Sequence, residues 1–169
     1  MEIREDDLTG ARIAHLLQQH LDDMRAITPP ESVHALDLDR LRVPGITFWT
    51  AWVEGELLGC GALKELDPRS GEVKSMRTAP EHRGQGVGSR MLEHIIAIAR
   101  EREYEKLLLE TGAMPEFEPA RALYRRYGFE PRGPFADYRE DPNSVFMEKR
   151  LDRVAAEAPA DAPHHPPPW

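Results

Sequence analysis

At 169 residues, with 40% hydrophobic and 31% charged side chains, the chain suits a single soluble domain around one core. Its net charge of −8 argues against a nucleic-acid binder, which needs a basic face, and is compatible with a cationic amine as substrate. The one cysteine, Cys60, rules out an internal disulfide. With no signal-like start and no run of about 18 apolar residues, a cytoplasmic protein without membrane contact is expected.

In chain order, a short strand is predicted at residues 2–4. Thr9 is placed to N-cap a helix reaching residue 25, with Ile13, Leu16, Leu17, Leu21 and Met24 on one face. Thr28-Pro29-Pro30 stops it. Residues 31–44 mix charges with Val33, Leu36, Leu38 and Leu41 and read as a loop with a short helix. Residues 46–53 are rich in β-branched and aromatic side chains. They turn at Glu54-Gly55-Glu56 into a hairpin partner at 57–66, where Gly59 and Gly61 flank Cys60 and leave room for close backbone approach or a bulge. After a turn at 67–71, a third strand covers 72–78 and a loop covers 79–88.

An amphipathic helix is predicted at 89–103, burying Met91, Leu92, Ile95, Ile96, Ile98 and Ala99. The unbroken Leu107-Leu108-Leu109 marks a strand at 106–111 covered on both faces. A short helix at 120–127 closes on Gly128, and strands follow at 129–135 and 144–151. This order gives an α+β domain: a mixed, mostly antiparallel sheet flanked by helices. Residues 152–169 are Pro- and Ala-rich, lack apolar periodicity and read as a disordered tail after a domain at 1–151.

Chemistry concentrates in Arg83-Gly84-Gln85-Gly86-Val87-Gly88-Ser89. Glycines between a strand and a helix let the backbone close on an anion, with the free N–H groups and dipole of the helix behind them. Arg83 adds a positive charge at the rim, so the expected guest is a phosphate or pyrophosphate. A P-loop would need Lys and then Ser or Thr after the last glycine, whereas Ser89-Arg90 follows here. A dinucleotide fingerprint has another glycine spacing and sits in a first βα unit. A glycine-rich turn that only joins strand to helix is the remaining alternative.

The segment Met76-Arg77-Thr78-Ala79-Pro80-Glu81-His82-Arg83-Gly84-Gln85-Gly86-Val87-Gly88 resembles motif A of the GCN5-related N-acetyltransferase (GNAT) superfamily. Ala122-Leu123-Tyr124-Arg125-Arg126-Tyr127-Gly128-Phe129 resembles its motif B, and one helix and one strand separate the two, as in the family. The resemblance implies a three-layer α/β/α fold with splayed central strands and an enzyme that moves an acetyl group from acetyl-CoA to an amine of a small molecule or peptide. It implies that the backbone of Arg83 to Ser89 holds the pyrophosphate and that main-chain groups of Met76, Arg77 and Thr78 hold the pantetheine arm. No metal is implied, and a homodimer is compatible with it. Tyr124 takes the family's general-acid position. Glu72 is the expected general base, with Glu110 the alternative, and Glu72, Lys74, Met76 and Thr78 share one strand face until a bulge intervenes.

Where relatives carry an Asn seven residues before the motif B tyrosine, this chain has Phe117, and Glu103 replaces a glycine after the motif A helix. Candidate acceptor contacts are His34, Phe48, Trp49, Phe117, Tyr138 and the acidic group Asp137, Glu140 and Asp141. A catalytically silent acyl-CoA-binding regulatory module is the alternative function.

Overall fold

A computed structural model describes residues 1–34 and 37–151. The expected tail at 152–169 and Leu36 lie outside the described residues. The elements are β1 (Glu2–Glu5), α1 (Ala11–Ile27), the one-turn α2 (Leu38–Leu41), β2 (Ile46–Val53), β3 (Glu56–Asp67), β4 (Ser70–Thr78) and α3 (Val87–Glu101). They are followed by β5 (Lys106–Gly112), α4 (Glu118–Arg126), β6 (Glu130–Arg132) and β7 (Ser144–Arg150).

The strands form one seven-stranded sheet in the order β1-β2-β3-β4-β5-β7-β6. Every ladder is antiparallel except β4–β5, which is parallel because α3 carries the chain back to the starting edge. That one parallel ladder spans only Ser70 to Glu72 against Lys106 to Leu108. Past Glu72 the two strands part, and the sheet forks at its centre.

Helices cover both faces, giving the three α/β/α layers the resemblance implied. On one face Ile13, Leu16 and Leu17 of α1 pack on Phe48, Leu57, Cys60 and Ala62. On the other, Met91, Leu92, Ile95, Ile96 and Ala99 of α3 pack on Trp49, Leu63, Val73, Leu107 and Leu109. Each such aliphatic side chain contributes about 1.5–3 kcal/mol of burial. The Leu107-Leu108-Leu109 run is covered on both faces, because Leu108 joins Phe135 and Phe146 in a smaller cluster opposite α3.

Several boundaries differ from expectation for local reasons. Thr9 does not cap α1: its hydroxyl donates to Asp7 Oδ1 at 2.6 Å, and Gly10 is the N-cap. Helix α3 starts two residues before the predicted 89, since Gly86 turns the chain at φ 81° and lets Val87 begin it. The strand predicted at 129–135 shrinks to Glu130–Arg132, an edge strand where Pro131 is tolerated, before Gly133 and Pro134 end it. The glycine missing at 103 leaves Glu103 itself at φ 62°, a left-handed helix terminus made without glycine.

Candidate active site in the sheet fork

A cavity of about 970 Å³ opens where β4 and β5 diverge. Its walls are β4, the Arg83–Ser89 loop, the end of β5, α4 and the C-terminal end of α1. A bulge in β4 shapes it. Arg77 pairs with Cys60 and Lys74 with Ala62, so Ser75 and Met76 together face the single residue Gly61. Ser75 adopts φ 55°, and the Cys60 thiol donates to its carbonyl at 3.3 Å. A Cβ at Gly61 would lie 2.8 Å from both Met76 Sδ and Met91 Cγ, so the strand opposite the bulge needs glycine there.

The extra residue splits the side-chain face predicted for β4. Arg77 turns toward α1, where its guanidinium donates to Asp23 Oδ2 at 2.6 Å, whereas Met76 packs into the α3 cluster. Glu72 and Lys74 remain together, with Lys74 Nζ 3.0 Å from Glu72 Oε2. Past Glu72, β4 has no ladder partner on its β5 side among the described residues, which leaves an edge of main-chain groups facing the fork.

Beyond β4, the glycine loop leads into the start of α3. Gly84 (φ 79°) and Gly86 (φ 81°) hold conformations that L side chains rarely adopt, and open space lies where their Cβ atoms would be. No side chain caps α3, so its first N–H groups are unclaimed and Arg83 stands beside them on the cavity wall. These residues fit a pyrophosphate.

At the opposite wall α4 presents Tyr124, 6% exposed and edge-on to Phe129 with ring centroids 5.7 Å apart. Burial, with the nearby Glu110 charge adding to it, holds the Tyr124 hydroxyl well above its ordinary pKa, so it stays protonated. Glu110, near the end of β5, is pushed up to about 7 by burial, although Ser144 Oγ donates to it at 2.8 Å. Glu72 is 3% exposed and accepts from Lys74 and, at 2.6 Å, from the Tyr138 hydroxyl.

The acetyltransferase (GNAT) family model matches residues 13–129. The chain belongs to that family. It is 58% identical over 151 residues to the uncharacterized N-acetyltransferase YsnE of Bacillus subtilis (strain 168), covering 89% of this chain and 100% of that protein. It is 43% identical over 152 residues to the IAA acetyltransferase of Azospirillum brasilense, covering 88% of this chain and 95% of that one. A crystal structure described as an acyl-CoA N-acyltransferase of Klebsiella pneumoniae superposes with a TM-score of 0.72 at 33% identity, covering 89% and 97% of the two chains. The chain is therefore an acyltransferase of the acetyl-CoA-dependent N-acetyltransferase class.

In this GNAT chain the cavity gathers Glu72, Met76, Arg77, Thr78, Arg83, Gly84, Gly86, Val87, Gly88, Ser89 and Tyr124. Gln85 is not on that wall: its side chain lies 3.2 Å from His82 Nδ1, outside the cavity. Among the candidate acceptor contacts, His34, Phe117 and Tyr138 line the cavity, while Phe48 and Trp49 are core residues, 3% and 4% exposed. Asp141 lies just behind the wall, where it accepts from the Ser32 hydroxyl. Phe117 lies against Gly112, so closely that a Cβ there would overlap its ring. Glu56, Glu81 and His82 form a surface grouping of possible metal ligands, but both His82 ring nitrogens are already engaged, Nε2 by Glu56 at 2.7 Å.

Sequence reasoning missed Arg121. Its Nη1 donates to the carbonyls of Gly112 (2.6 Å) and Met114 (3.0 Å), holding the β5–α4 turn, while Glu118 pairs with its other end. Only the Glu118–Arg121 spacing on one helix hinted at a role. The Arg77–Asp23 pair spans 54 residues and has no local signal.

Proposed function

We propose that the chain acetylates a primary amine by direct transfer, with Glu110 as general base and Tyr124 as general acid. The observation that carries this reading is their placement: an acid held protonated and a carboxyl titrating near 7 share the wall of the fork. Acetyl-CoA supplies the activated acyl group. The Arg83–Ser89 loop and the N-terminus of α3 hold its pyrophosphate, and the free edge of β4 from Met76 to Thr78 holds its pantetheine arm.

An ammonium acceptor must lose a proton before nitrogen can attack. Glu110 takes that proton, directly or through one water, and a pKa near the working pH suits the task. As the C–N bond forms and the C–S bond breaks, Tyr124 donates to the departing thiolate. Glu72 already accepts from Lys74 and Tyr138, so its charge is largely neutralised; it positions those groups instead of serving as base. A backbone N–H beside the Ser75 bulge supports the carbonyl oxygen as charge builds on it. The name IAA acetyltransferase on one relative gives an acceptor for that protein, and it enters as one arm of an acceptor screen here.

The test is acetyl-CoA turnover across amine classes, read as released thiol. Turnover in the wild type that falls about 100-fold or more in Glu110→Gln supports the assignment. Acetyl-CoA binding with no amine acetylated would favour the silent acyl-CoA-binding module.

A further inference from the structure

Among the described residues, the lysines and arginines on the wall of the fork cavity are Lys74, Arg77, Arg83 and Arg126. Two of them are matched by carboxylates: Lys74 by Glu72 at 3.0 Å and Arg77 by Asp23 at 2.6 Å. Arg83 and Arg126 have no ion-pair partner among the described residues. Arg83 belongs to the loop already assigned to the pyrophosphate. Arg126 is left as a cation on the cavity wall with nothing to neutralise it.

Contacts on either side of Arg126 fix where it stands. It is the last residue of α4, and Leu123, three positions earlier, shares its face of the helix. Leu123 lies against Gly88 in the first turn of α3, where a Cβ would come within 3.3 Å of its Cδ2. Tyr127, next in the chain, donates from its hydroxyl to Glu93 Oε1 at 2.6 Å and also meets the Ser89 side chain. The end of α4 is therefore docked on the first two turns of α3, and Arg126 reaches the cavity from that junction. Its neighbour Arg125 does not line the cavity; its guanidinium donates to Glu118 Oε1 at 2.5 Å.

We infer that Arg126 binds the 3′-phosphate of coenzyme A and makes the protein selective for coenzymes that carry it. This rests on the acetyl-transfer reading above, in which the pyrophosphate lies at the Arg83–Ser89 loop and the pantetheine arm runs from it into the fork. The nucleotide arm then leaves the pyrophosphate away from the fork, past the start of α3, where Arg126 is exposed at the rim. A phosphate monoester carries about −1.5 to −2 charge at pH 7, and a guanidinium matches its oxygens with two parallel hydrogen bonds. The two unmatched cations of the wall thus answer the two separate phosphate groups of the coenzyme, Arg83 the pyrophosphate and Arg126 the monoester.

The experiment titrates the full chain calorimetrically with coenzyme A and with 3′-dephospho-coenzyme A. Wild type should bind coenzyme A about tenfold more tightly, as expected for a charge-assisted hydrogen bond. Arg126→Gln should weaken coenzyme A about tenfold and leave dephospho-coenzyme A nearly unchanged, so that the preference disappears. Arg126→Lys keeps the charge without the fork of donors and should retain part of the preference. Arg125→Gln, whose guanidinium serves Glu118, should retain all of it. Thermal melting of each ligand-free variant checks its fold. Equal weakening of both coenzymes by Arg126→Gln would put Arg126 on the pyrophosphate and overturn the inference. A wild type without preference, or a preference that survives in Arg126→Gln, overturns it as well. Failure of the wild type to bind either coenzyme instead overturns the acetyl-transfer reading.

Discussion

Two side chains in the fork carry opposite demands on protonation, and both follow from burial. Tyr124 keeps its proton far above neutrality, whereas Glu110 titrates near 7. The base works when ionised, so kcat/KM should climb as pH rises through about 7. In Glu110→Gln that limb should vanish along with most of the rate; a limb that survives there but disappears in Glu72→Gln would move the base to Glu72. Stability should respond in the opposite sense. The folded state raises the Glu110 pKa from 4.5 to about 7, so it prefers the protonated carboxyl, and ionisation costs stability as pH rises through that window. Glu110→Gln should therefore melt at a higher temperature than wild type at pH 8, with the gap closing at pH 4.5. Tyr124→Phe should lower kcat about 100-fold with little change in acetyl-CoA affinity, since the ring and its Phe129 contact remain. An unaltered rate would remove the hydroxyl from the mechanism.

Between residue and fold, the loop proposed to hold the pyrophosphate is braced from outside. His82 ends the short turn before Arg83 and bridges Glu56, at the start of β3, to Gln85 within the loop. Those two contacts, with Glu81 nearby, raise the His82 pKa above 6.5, the Glu56 hydrogen bond being the largest cause. A raised histidine pKa means that the brace is complete at low pH and is lost as pH rises through the folded value. Acetyl-CoA should thus bind more weakly as the solution is made alkaline past that point, and Glu56→Gln should flatten the dependence. A Kd with the same pH profile in wild type and Glu56→Gln would mean that the brace does not reach the loop. Elements of this kind differ in how far sequence exposes them. The place of the loop and of Tyr124 on the cavity wall was legible, because the glycines stand between a strand and a helix and a second motif falls at the right separation. The Ser75 bulge was not: serine at φ 55° carries no turn signature, and its cue, Gly61, sits on the neighbouring strand. The proposal of Glu110 over the Glu72 expected from sequence draws on burial and hydrogen-bond partners that sequence does not carry, because both are carboxylates near strand ends.

The whole sheet is weakest at its functional centre. Three paired residues hold β4 to β5, while β3 and β4 run together as far as Thr78 and β5 pairs with β7 along its full length. The molecule therefore consists of two well-laced half-sheets joined at the base of the fork, with α3 packed under the joint. A ligand that lies along the free edge of β4 and reaches the α3 N-terminus ties these parts together and should stabilise the fold beyond its local contacts. At 100 times its Kd, acetyl-CoA adds about 2.7 kcal/mol through mass action. For a domain of this size that corresponds to a rise in Tm of roughly 5–10 °C. Hydrogen exchange should slow most at residues 76–78, 83–89 and 109–112, the margins of the fork. Gly86→Val should abolish both effects by forcing a β-branched residue to φ 81°, while the apo protein still unfolds cooperatively because Gly86 itself belongs to neither core, with open space where its Cβ would be. A full Tm rise in Gly86→Val, or protection confined to one arm of the fork, would show that the cofactor does not bridge the halves.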